Sequence, residues 1–124
     1  MLGDHDVAAT LAVTDIDAAR SFYEGTLGLE PVMEVSDSVV YSAGNSRLMV
    51  YRSDFAGTNQ ATGATWAVGD QLDSVVQDLR TNGVAFEHYD LPGTTRDGDI
   101  HEMGDMRGVW FKDPSGNIIG LVNQ

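Results

Sequence analysis

No cysteine occurs among the 124 residues, which removes disulfides, thiolate nucleophiles and Cys-ligated zinc from consideration. Positive charge is scarce too: seven Lys and Arg stand against nineteen Asp and Glu, a formal charge of -12. Such a field repels phosphate backbones and anionic lipid, so neither nucleic acid nor a membrane surface is an expected partner. The acidic residues are dispersed rather than run together, which marks solubility and not an acidic tail. No apolar run is long enough to span a bilayer, and MLGDHDVAATLAV lacks the basic region and apolar stretch of an export signal. A cytoplasmic location is the expectation. GxSxG and P-loop patterns are absent as well, and Ser115 in DPSG reads as a turn residue, so nucleophilic catalysis has no support.

What remains is ordinary for one compact domain: 42% hydrophobic and 21% charged residues. Periodicity predicts a strand at 7–13 and a helix at 15–28, opened by aspartate and closed by glycine. Strand-like runs follow at 30–36, 38–43 and 47–53, with Gly44 and Asn45 supplying a hairpin turn. After the polar loop DFAGTNQATG the pattern restarts: a strand at 64–70, then a helix at 70–83 with Leu72, Val75, Val76 and Leu79 on one face. Further strands are predicted at 84–90, 107–113 and 117–123.

The halves align. Ala12, Val13, Asp15 and Gly28 match Ala67, Val68, Asp70 and Gly83 at one offset of 55 residues. The second GN turn lies 72 residues after the first, so the second half carries 17 extra residues, expected in LPGTTRDGDIHEMGDMR. The fold class is therefore α+β, with two βαβββ units, at approximately 5–54 and 62–124, in a single domain spanning 1–124.

LAVTDIDAARSFYEGTLGLEPV resembles the opening of the vicinal oxygen chelate superfamily, which contains glyoxalase I, bleomycin-resistance proteins and extradiol dioxygenases, and WFKDPSGNIIGLV resembles its closing strand. That resemblance implies curved mixed sheets around a concave ligand site, commonly in homodimers. It also implies four metal-ligand positions, which fall here on Ala8, Met49, Gly63 and Gly120; turn alignment alone would place the second on Leu48. None of these side chains offers the imidazole nitrogen or carboxylate oxygen that a divalent ion takes. No metal and no other cofactor is expected.

With the positions implied by the resemblance facing inward, strand alternation sets Ala8, Thr10, Ala12, Gly63, Thr65, Ala67 and Gly120 on the inner faces, as ligand-binding candidates, and Leu11, Val13, Trp66, Val68, Ile119 and Leu121 beneath the helices. Small residues inside predict an enlarged pocket at Gly120, unless large neighbours or a partner subunit fill it. Met49, Tyr51 and Trp110 are candidates for either part. The insertion reads as a lid or wall, with His101 offering a hydrogen bond or proton and Met103 and Met106 adaptable apolar contacts, or as a plain solvated hairpin. His88, His101 and Glu102 lack paired ligand spacing, and the aspartates at 97, 99 and 105 lack the EF-hand pattern. The expectation is a metal-independent binder of a small organic or antibiotic-like molecule, cationic or planar aromatic, serving sequestration or sensing. The alternatives are a glyoxalase-like lyase or isomerase, or a dioxygenase-like enzyme, using His101, Tyr51 or a rearranged metal site, and a pure interaction module.

Overall fold

The computed structural model describes all 124 residues. Two sheets carry it. The first has the order β1-β4-β3-β2, formed by β1 (Ala9–Val13), β2 (Glu30–Val35), β3 (Ser38–Ala43) and β4 (Ser46–Arg52). The second has the order β5-β9-β8-β7-β6, formed by β5 (Thr62–Ala67), β6 (Thr95–Asp97), β7 (Ile100–Met103), β8 (Met106–Lys112) and β9 (Ile118–Val122). In each sheet the opening strand runs parallel to the closing strand, and the remaining pairs are antiparallel.

Helix α1 (Ile16–Arg20) starts where the Asp15 carboxylate accepts the backbone N–H groups of Asp17 and Ala18, which otherwise lack intrahelical partners. It widens into a π-helical turn, Ser21–Thr26, and stops at Gly28, whose φ of +74° favours glycine. Helix α2 (Leu72–Thr81) follows a short 3₁₀ turn and buries Leu72, Val76 and Leu79, three members of its expected apolar stripe. Both helices pack on the same side, so Leu11, Val13, Tyr23, Val50, Phe111, Ile119 and Leu121 join one continuous core. Phe22 of the π-helical turn reaches Phe111 of β8 across the two halves, with ring centroids 6.2 Å apart.

The DPSGN turn fastens the halves together. Asp113, 5% exposed, accepts the Tyr23 hydroxyl at 2.7 Å, the backbone N–H groups of Ser115 and Asn117, and the Asn117 amide. The same amide donates to the Ala12 carbonyl of β1, and Thr14 N–H donates to Ser115 Oγ. Burial, followed by the adjacent Asp113 carboxylate, pushes the Tyr23 phenol far above its ordinary range, so it stays a donor.

One expected strand does not form. Residues 84–90 make a single bridge, Phe86 to Phe111, plus a bond from Glu87 N–H to the Trp110 carbonyl. The reason is competition for the β8 edge: β7 pairs with residues 106–108, leaving the segment only the far end of that strand. The insertion is also not a lid. Its residues form β6 and β7, so β7 takes the place that β2 has in the first sheet, and the extra length falls at 84–99.

Candidate functional site

Each sheet has a face turned away from the helices. On the first, paired residues Thr10 and Met49, Ala12 and Tyr51, and Val40 and Met33 share that open face. Met49 is half-buried, whereas Tyr51 is 37% and Met33 58% exposed. On the second, Trp110 and Gly120 pair, as do His101 with Gly108 and Met103 with Met106. Alternation along β8 then sets Met106, Gly108 and Trp110 on one side, with His101 and Met103 opposite them on β7.

The space at Gly120 is taken by an indole. A Cβ there would lie 3.2 Å from Trp110 Nε1, 3.3 Å from its Cδ1 and 3.5 Å from Thr62 Cγ2. Gly120 therefore does not line an enlarged void; it admits Trp110 flat against the strand. Gly63 borders the cavity at the junction of the sheets, but a side chain there would point away from it, toward the core. It sits in a β-bulge between Thr62 and Ala64, and a Cβ would come within 2.7 Å of Leu11 Cδ2, so glycine here permits β5 to approach β1. Ala8 lies exposed just before β1, beside a groove bordered by Asp6, Asn45 and Arg47.

Around Trp110 the second sheet builds an aromatic wall. Its ring meets His101 edge to face at 4.9 Å and Tyr89 at 5.6 Å, and Tyr89 lies 6.1 Å from His101. A cavity of about 350 Å³ opens in front of it, lined by Thr62, Tyr89, Leu91, Trp110 and Ile118 with Gln60 and Ala61. A second one, of about 340 Å³, crosses the junction of the sheets between Thr10, Ala12, Tyr51 and Thr62. Thr62 borders both, so the two open faces are continuous.

His101 stands behind the wall and is 3% exposed. Its Nε2 accepts the Tyr89 backbone N–H at 2.9 Å, so in the neutral ring the proton resides on Nδ1. Nδ1 is buried without a hydrogen-bond partner, as is the hydroxyl of Thr94. Each such group left unpaired costs about 1–3 kcal/mol.

The four positions that the resemblance implies for a divalent ion carry none of its usual ligands. Ala8, Met49, Gly63 and Gly120 bring no oxygen or nitrogen side-chain donor, and nowhere do three His, Asp or Glu side chains converge. His88 instead binds Asp99 at 2.7 Å, and Glu102 lies on the opposite face from His101. Sequence reading missed Tyr89, Leu91, Thr62 and Thr94. Only Trp110 opposite a glycine signalled the wall, since 84–94 has no repeating structure from which to read a facing.

A helix-backed pair of mixed sheets with a continuous open face defines a class of small α+β proteins. The chain belongs to the Glyoxalase/Bleomycin resistance protein/Dioxygenase superfamily, which it matches over residues 6–121. Among solved structures it is similar to a glyoxalase/bleomycin resistance protein from Catenulispora acidiphila DSM 44928, with 24% identity, a TM-score of 0.70, and 94% of this chain and 96% of that one covered. It is similar also to lactoylglutathione lyase from Agrobacterium tumefaciens, with 20% identity and a TM-score of 0.70, over 95% and 92% of the two chains. The fosfomycin resistance protein FosX from Mesorhizobium loti shares the fold at 11% identity and a TM-score of 0.69, over 98% and 92%. None of the curated proteins matches the chain.

Proposed function

We propose that this protein binds a small planar organic molecule against the Trp110 and Tyr89 wall, without a resident metal ion, for sequestration or sensing. The observation that carries this reading is the cavity of about 350 Å³ in front of an indole seated on Gly120. Its size falls within the roughly 300–1,000 Å³ usual for small-molecule sites, and most of its lining is apolar. The resistance proteins among the structural neighbours support a small-molecule role for this fold. The two units at 5–54 and 62–124 act as one cytoplasmic domain, and two copies associate through the exposed apolar residues Met33 and Val35 of the first sheet.

Two measurements on purified protein test the reading. Metal analysis is expected to find less than one divalent ion per chain. A thermal-shift screen of planar aromatic compounds is expected to raise the melting temperature of the wild type and not of Trp110→Ala. One tightly held ion per chain, lost in His101→Ala, would replace this reading with a lyase, isomerase or dioxygenase-like enzyme. No response to any compound would leave only an interaction module.

A further inference from the structure

The second open face carries a polar feature that an apolar stacking site does not need. Across β6 and β7, Arg96 pairs with His101, and Thr94 lies in the turn immediately before β6, its N–H donating to the Leu91 carbonyl. His101 Nδ1 and Thr94 Oγ1 are the two buried side-chain polar atoms in the protein without a hydrogen-bond partner. They come from one hairpin. Because Tyr89 N–H occupies Nε2, the free Nδ1 of a neutral His101 is a donor.

Charge is sorted across the same hairpin. Asp97 pairs with the core residue Ile100, on the helix side, and Glu102 alternates with His101 to that side too. Arg107, whose guanidinium is held protonated first by its Asp73 partner, is helped further by both. Asp99 is bound by Arg80 at 2.7 Å and by His88 at 2.7 Å. Arg96 is different. Of the seven Lys and Arg side chains, Arg47 and Arg96 alone have no carboxylate within 4.0 Å. One Arg96 nitrogen donates to the Gly98 carbonyl at 2.9 Å, tethering the group to the turn and leaving the rest of the fork free.

We infer that Arg96, Thr94 Oγ1 and His101 Nδ1 form a subsite for a carboxylate, and that the ligand of the wall is an aromatic carboxylic acid. Arginine presents a planar fork matched to a carboxylate, a hydroxyl and an imidazole N–H add two further donors, and the ring of the acid lies on Trp110. The net charge of -12 does not oppose this, because charges beyond about 8 Å are screened at physiological ionic strength. The expectation of a cationic ligand, drawn from net charge, gives way to the local arrangement. This inference rests on the proposed aromatic binding site.

Calorimetric titration with 2-naphthoate and with its neutral amide, 2-naphthamide, separates the two. Wild-type protein is expected to bind the acid at least about tenfold more tightly than the amide. Arg96→Gln and Thr94→Val, both outside the core, are expected to abolish that preference, whereas Arg47→Gln retains it. In ¹⁵N NMR the His101 proton is expected on Nδ1, and its resonance moves with the acid and not with the amide. Equal affinity for the two compounds, or a preference surviving both substitutions, overturns the subsite and leaves the aromatic wall standing. Binding of neither compound overturns both.

Discussion

The two open faces share a strand order and differ in what stands on them. On the first sheet Thr10, Ala12, Met49 and Tyr51 follow one another without an aromatic cluster, and β2 begins two residues after Gly28. On the second, residues 84–99 intervene between Gly83 and β7, and from them come Tyr89, Thr94 and Arg96. An insertion at one place in a duplicated pattern thus turned one face into a wall and left its counterpart open. Gly120 completes the change, since a side chain there would lift Trp110 from the strand.

Substitutions that strike both halves should have the largest effect. Asp113→Ala strands the Tyr23 hydroxyl, two backbone N–H groups and part of the Asn117 amide, and is expected to cost about 3–5 kcal/mol in urea unfolding. The contrast between the faces is measured by one truncation made on each. Trp110→Ala should cost about 2–4 kcal/mol and abolish aromatic binding, whereas Tyr51→Ala on the first face should cost below about 1 kcal/mol. Equal losses would mean that the wall is not special.

Gly63→Ala tests the seam between the sheets. The new methyl group meets the buried Leu11 side chain at 2.7 Å, and a loss of about 1–3 kcal/mol is expected, read as a lower urea midpoint.

The smallest effect is electrostatic. Arg107 holds the Asp73 carboxyl below its usual range, and Arg80 and then His88 do so for Asp99. A depressed folded pKa contributes stability that is complete above the unfolded value of about 3.9 and is lost as pH falls through the folded one. Stability should therefore decline below about pH 4, and less steeply in Asp73→Asn, in pH-dependent melting curves. Because Asp73 is 67% exposed, solvent screening keeps its share small.

Much of the framework was legible because it is local. The Asp15 cap, the stripe of Leu72, Val76 and Leu79, the GN turns and the alternation of Leu11 and Val13 each declare themselves within a few residues. The 84–90 segment misled because Val84, Phe86 and His88 alternate as a strand does, while the edge they would join is held by β7. Gly63 misled for a related reason: a bulge advances the register by one, and alternation counted along the strand cannot register it.

By itself the sequence determined the duplicated plan, most of its strands and helices, and the family, because these depend on residue identity and short-range spacing. Only the tertiary structure decided that Trp110 covers Gly120, that His101 is pinned by Tyr89, and that Arg96 stands without a carboxylate. Those relations join residues far apart in the chain, and packing and pairing across strands settle them where no local pattern reaches.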